Sequence, residues 1–283
     1  MRDDPASATI DEQVHRGGAA RQVGAPVLQV DGLFKTFGEK CAVQDVSFTL
    51  RDQELVAVLG PRGAGKTTLF RCVTGIIRPD SGRVWFDGTD MAAMTATGRR
   101  RIAIVFQDFN LVRRLSAFEN VLGGRLPHVA PWRGILRQFE RSDKRKAFEC
   151  LERVGLLDQA HQRADTLSGG QQQRVAVARA LAQEARLIVA DEPIASLDPA
   201  SAAAVMNLLK DIVRNDGMKV ICSLHQVAYA RSYADRIIGL SHGSLLMDKP
   251  ATAFFDGESD ALYTPQSYNR SRRLPSVADC CGA

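Results

Sequence analysis

Residues 60–67 read GPRGAGKT. Two glycines bracket four residues, and Lys66 and Thr67 follow, which is the spacing of a loop that cradles phosphate. Glycine lets the backbone curl until several N–H groups face one anion. The run before the loop, Glu54–Leu59 (ELVAVL), has the length and character of a buried parallel strand. Lys66–Ile77 (KTTLFRCVTGII) can begin a helix there, and a helix N-terminus favours phosphate. Strand, glycine loop and helix in that order make a nucleotide site, with Lys66 reaching the β- and γ-phosphates and the Thr67 hydroxyl on Mg²⁺. A bare glycine-rich turn would leave the Lys-Thr pair unexplained.

The chain of 283 residues is long enough for one large α/β domain with a smaller appendage, or for two modest domains. A hydrophobic content of 45% and a charged content of 24% fit a soluble globular protein. No window approaches the roughly 18–20 consecutive apolar residues of a membrane span. Residues 1–26 are polar, broken by Pro and Gly, and lack the basic start and apolar core of a secretory signal, so a cytoplasmic location is expected. Cys41, Cys72, Cys150, Cys222, Cys280 and Cys281 form no CxxC pair, which removes zinc and thioredoxin-like readings. The first four lie in apolar stretches and are expected to be buried thiols. The net charge is +5, and between Leu111 and Gly155 ten Lys/Arg stand against five Asp/Glu, an excess equal to that of the whole chain. Such a face can meet nucleic acid or an anionic membrane surface, but on composition alone a solvated helical face is the preferred reading.

Residues 1–26 read as an extension. From Val27, VLQVDGLFKTF and AVQDVSFTL alternate as strands around Gly38-Glu39-Lys40, an antiparallel layer ahead of the loop. Phe37 at its edge is either a core aromatic or a platform for a base. Arg101–Phe106 (RIAIVF) is another strand, and Gln107 directly follows it, where ligand contacts gather in open α/β sheets. The segment of about 108–175 is charged and helix-periodic, with a capping box at Ser116 and Glu119 and an amphipathic run at Ser142–Val154. Leu167–Gln171 (LSGGQ) opens a helix that Ser168 can cap, and its glycines leave N–H groups for an anion, yet no Lys or metal ligand lies near in sequence. It is either a capped helix with a flexible entry or a second, incomplete phosphate site. Arg186–Ala190 (RLIVA) ends at Asp191 and Glu192; a carboxylate there can hold Mg²⁺ and its neighbour can act as general base. Asp198 precedes Pro199 and a helix closed by Gly217. Met218–Leu224 (MKVICSL) delivers His225 to a strand tip. Two further short strands follow, and from Gly257 no period is visible.

GPRGAGKT, Gln107, LSGGQ, LIVADEP, SLD and His225, in this order, resemble the ATP-binding subunits of ABC transporters over roughly Val27 to Asp256. The resemblance implies a RecA-like P-loop NTPase core with an antiparallel β layer and an inserted helical subdomain, within an ABC ATPase domain at 27–256 and a tail at 257–283. It implies a head-to-tail homodimer that sandwiches two ATP molecules, so that LSGGQ completes the other subunit's site. Phe37 then stacks on adenine, and Gly60, Pro61, Arg62, Gly63, Ala64, Gly65, Lys66, Thr67 and Thr68, with Gln107, contact ATP. Thr67, Gln107 and Asp191 serve Mg²⁺. Glu192 is the catalytic base, with His225 on the γ-phosphate and Lys66 beside it. Ser168, Gly169, Gly170 and Gln171 act in trans, and Asp198 links the two sites. QDFNLVRRLSAFENVL, ADEPIASLDP and SLHQVAYARSYADRIIGL further resemble the phosphonate-import ATPase subgroup. That implies transmembrane permease subunits, a periplasmic or extracellular solute-binding protein, no direct contact with solute, and a peripheral position on the cytoplasmic face of the cell (inner) membrane. Arg62 departs from the Ser or Asn usual in such loops.

Three other readings compete. Another small-solute importer, for phosphate, phosphite or polar amino acids, would share every motif. A DNA-repair or chromosome-organising ABC ATPase would carry long heptad runs, and none intervenes here, so nucleic acid is not an expected partner. A nucleotide-binding regulator would not need Glu192 and His225.

Overall fold

The computed structural model describes residues 26–136 and 138–263; the extension up to residue 25 and the Cys280-Cys281 tail lie outside the described residues. The hairpin forms as β1 (Leu28–Phe37) and β2 (Lys40–Leu50), with Leu28 opposite Leu50 and Phe37 opposite Lys40. Strand β3 (Leu55–Leu59) leads through the glycine loop into α1 (Lys66–Val73). This helix stops short of Ile77: the Thr74 hydroxyl folds back onto the Phe70 carbonyl at 2.8 Å, competing with the helical ladder. β4 (Ser81–Phe86) and β5 (Thr89–Asp90) complete an antiparallel sheet of order β2-β1-β4-β5.

After the short α2 (Ala96–Arg99), β6 (Ile102–Val105) enters the main sheet. Then come α3 (Ala117–Leu122), α4 (Pro131–Ile135), α5 (Arg141–Arg153) and α6 (Gly169–Ala182). The capping box at Ser116 and Glu119 is present, with Glu119 N–H to Ser116 Oγ at 3.1 Å. Helix α6 runs past residue 175, and the Gln183 amide that follows it bonds the Arg100 and Ile102 carbonyls beside β6. The helical segment therefore grades into the sheet rather than ending at 175. β7 (Leu187–Ala190), α7 (Pro199–Asp216), β8 (Lys219–Leu224), α8 (Val227–Tyr233), β9 (Arg236–Ser241) and β10 (Ser244–Pro250) finish the sheet, whose order is β10-β9-β3-β8-β7-β6. All its pairings are parallel except β10 with β9.

Strand β3 divides the core because successive side chains point to opposite faces. Leu55, Ala57 and Leu59 join residues of α3, α5, α6 and α7, while Val56 and Val58 join those of α1 and the antiparallel layer. Burial on both faces explains why its sequence is apolar throughout.

One element has no sequence signal. Asp256–Tyr263, beyond the expected end of the domain, is a helix, α9. Leu262 is 1% exposed and sits against Gly239, where a Cβ would come within 2.4 Å of Leu262 Cδ1. Glu258 caps the helix by accepting the Phe255 N–H and pairs with Lys249. A two-turn helix with so few anchors is too short to display a period.

The basic excess is less free than its composition suggests. Among the described residues, five of its ten cations are paired: Arg125 with Asp143 and Glu184, Arg133 with Glu140, Arg145 with Glu149, Lys146 with Glu184, and Arg153 with Asp211 and Asp216. Several of these acids come from outside the segment, so the surface is closer to the solvated reading than to a polyanion-binding face.

Burial pushes the Cys72 and Cys150 thiols up to about 11 and Cys222 to about 12. At pH 8 they stay protonated and shielded. Iodoacetamide is expected to leave all three unmodified in the native protein and to label them in urea. Peptide mass mapping checks this, and native labelling of Cys222 contradicts its burial.

Candidate nucleotide site

The parallel register carries four strand ends to one edge of the sheet. Leu59 pairs with Leu224, Val105 with Ala190, and Ala190 with Cys222. Gly60, Gln107, Asp191, Glu192 and His225 all follow these ends, at the carboxyl edge where open α/β sheets bind ligands.

Lys66 is buried at the first turn of α1, and its ammonium donates to the Gly60 carbonyl at 2.7 Å and the Pro61 carbonyl at 3.1 Å. Burial pulls this ammonium below its ordinary pKa, and the Glu192 and Asp191 carboxylates oppose that. An arriving phosphate gives the ammonium a charged partner in place of two neutral carbonyls. The Thr67 side chain is exposed at the loop's rim. The loop is braced by β2: a Cβ on Gly65 would lie 2.1 Å from the Ala42 carbonyl oxygen. That contact places the Phe37 hairpin beside the loop, with the Phe37 ring half exposed and Lys35 Nζ 5.5 Å from its centroid.

The acids are held by a residue that the sequence reading overlooked. Ser223, fully buried, donates to Asp191 Oδ1 at 2.7 Å and accepts the Glu192 N–H at 2.8 Å. Its signal was a hydroxyl in an otherwise apolar strand, two residues before His225. Glu192 takes a left-handed φ of 50°, a conformation that costs a non-glycine residue on the order of 1–3 kcal/mol and gathers at functional sites. Its Oε1 lies 2.5 Å from His225 Nε2. A cleft of about 400 Å³ is lined by Glu192, His225, Ser223, Gln107 and Arg62. Arg62 is exposed, and no hydrogen bond or ion pair engages it among the described residues.

Gln107 begins a strained loop in which Phe109 and Asn110 both have positive φ. Arg179 of α6 holds that loop, donating to the Asn110 carbonyl at 2.7 Å and the Phe109 carbonyl at 3.2 Å. Gln107 is thus tied to the helix that LSGGQ starts.

A family model described as ABC transporter matches residues 43–195. This chain belongs to the ABC transporter family. The hypophosphite import ATP-binding protein HtxD of Stutzerimonas stutzeri is 45% identical to it over 240 residues, covering 83% of this chain and 70% of that protein. The phosphonates import ATP-binding protein PhnC of Frankia casuarinae is 50% identical over 228 residues, covering 79% and 90%. Among solved structures, an ATP-binding cassette captured as a dimer in a post-hydrolysis state with ADP and Pi is 32% identical, with a TM-score of 0.69 over 80% of this chain and 100% of that one.

The chain is accordingly an ABC ATPase that binds and hydrolyses ATP. Within it, Ser168–Gln171 do not line the cleft of Glu192 and His225. Ser168 caps α6 and closes a box with Gln171, Ser168 N–H to Gln171 Oε1 at 2.9 Å, so this hydroxyl already serves its own helix. The glycines have a packing duty too: a Cβ on Gly170 would meet Ser201 Oγ at 2.5 Å. Asp198 caps α7 through the Ala200 and Ser201 N–H groups, and hydrogen bonds from Ser201 and Ala200 hold its carboxyl below the usual range. The signature turn and the Asp198 turn therefore abut as one surface.

Proposed function

We propose that the chain is the ATP-hydrolysing subunit of an importer of phosphonates or related phosphorus oxyanions. Two copies form a head-to-tail dimer on permease subunits at the cytoplasmic face of the membrane, and a solute-binding protein delivers the solute. The observation that carries this reading is similarity to phosphonate and hypophosphite import subunits over 79% to 86% of the chain. No helix among the described residues is long and apolar enough to cross a membrane, which suits a peripheral subunit.

In this reading Phe37 stacks on adenine, and residues 60–68 wrap the phosphates. Among the described residues no three His, Cys, Asp or Glu gather as a metal site. The oxygen donors at hand, Thr67, Gln107 and Asp191, fit Mg²⁺, which shares its sphere with phosphates and water. Held there, the ion would neutralise charge on the phosphates. Glu192 takes the proton of the attacking water, and His225, oriented by Glu192, meets the γ-phosphate. Lys66 turns from its carbonyls to the phosphoryl oxygens. Ser168–Gln171 of the second copy offer the Gly169 and Gly170 N–H groups across the dimer, with Asp198 beside them. Because those groups face ATP only in the closed dimer, ATP favours that state and hydrolysis releases it.

The test is reconstitution with permease and binding protein. Methylphosphonate or hypophosphite is expected to stimulate ATP hydrolysis severalfold, and polar amino acids are expected to leave the basal rate unchanged. Stimulation by an amino acid alone would overturn the assignment of the solute.

A further inference from the structure

Strands β3 and β8 run side by side as far as Leu59 and Leu224, and there the ladder ends. Gly60 turns into the phosphate loop and His225 turns toward α8. Backbone polar groups at such a divergence need new partners. Tyr263, the last described residue of α9, supplies one. Its hydroxyl donates to the His225 carbonyl at 3.0 Å. The ring is half-buried, and α9 is pinned by Leu262 and by the preceding Phe254, 2% exposed.

We propose that Tyr263 is a positioning residue for ATP hydrolysis, its hydroxyl clasping the main chain of His225 at its carbonyl. The clasp acts on the His225 main chain, while the imidazole of the same residue reaches Glu192 at 2.5 Å. Shifting that carbonyl shifts the ring relative to the loop, and misplacement by about 1 Å can cost a reaction up to roughly 100-fold. The segment from Asp256 to Tyr263 thus belongs to the catalytic apparatus although it carries no motif. The inference rests on the reading of His225 as a γ-phosphate contact.

Tyr263→Phe in the full chain removes the hydroxyl and keeps the ring. One neutral hydrogen bond sets the scale at about two- to tenfold. We expect kcat for ATP to fall about three- to tenfold, KM to stay within about twofold, and the thermal midpoint to move by no more than about 2 °C. A kcat equal to wild type, a change confined to KM, or a loss of kcat matched by a comparable loss of stability overturns the clasp. His225→Ala in parallel separates the two layers. Loss in that variant with none in Tyr263→Phe refutes the clasp alone, whereas a wild-type rate in His225→Ala refutes the reading beneath it and the clasp with it.

Discussion

Glu192→Gln is expected to lower the rate of ATP hydrolysis by about 100-fold or more while ATP binding persists, because a positioned general base contributes roughly 10²–10⁴-fold. The substitution is nearly isosteric. The main chain keeps its hydrogen bond from Glu192 N–H to Ser223 Oγ at 2.8 Å, and an amide oxygen can still accept from His225 Nε2. What disappears is the group that can take a proton from water. If the dimer forms on ATP and opens on hydrolysis, the variant accumulates as an ATP-bound dimer. Phosphate release and size-exclusion chromatography with and without Mg·ATP report the two effects separately. A wild-type rate removes Glu192 from the role of base. A lost rate without dimer accumulation keeps the base and sinks the head-to-tail assembly.

The same cluster shows what the sequence could and could not convey. Strand tips were readable because each parallel strand is a short apolar run that stops at a chemically distinct residue: Gly60, Gln107, Asp191, His225. Parallel pairing then brings them to one edge with no further information needed. Ser223 was not readable. Its value lies in register, since Ala190 pairs with Cys222 and so sets the hydroxyl between the two acids. The second duty of Gly170 was hidden for a related reason. A glycine at a helix start suggests an anion, and only the approach of α7 shows that Ser201 occupies the space of a side chain. The charge of the helical segment was legible as an excess but not as pairs, because Arg153 finds Asp211 and Asp216 at the far end of α7. Long-range partners of this kind leave no trace in local composition. Helix α9 was missed because it is anchored by few residues, and its link to His225 exists only across the fold.

Gly65→Ala is expected to abolish detectable ATP binding and to lower stability by roughly 2–6 kcal/mol, from about 1–3 kcal/mol of backbone strain and about 1–3 of overpacking. Gly65 holds φ at 100° as the residue that caps α1, outside the range of any residue with a Cβ. The added carbon would stand 2.1 Å from the Ala42 carbonyl oxygen, and both partners are backbone, so neither can swing away. Relief requires the loop to move off β2, which displaces the N–H groups proposed to face phosphate and the start of the helix that carries Lys66. Gly63 supplies the control. Its φ of 80° is also left-handed, but nothing lies within 4 Å of a Cβ there. Gly63→Ala therefore carries the strain alone, and is expected to lose stability by about 1–3 kcal/mol while retaining measurable affinity for ATP. Isothermal titration with ATP and thermal unfolding of the two variants side by side separate conformational strain from collision. Equal losses in both would mean that the contact with Ala42 contributes nothing. Wild-type affinity in Gly65→Ala would mean that the loop reaches its phosphate-binding shape without bracing from the antiparallel layer.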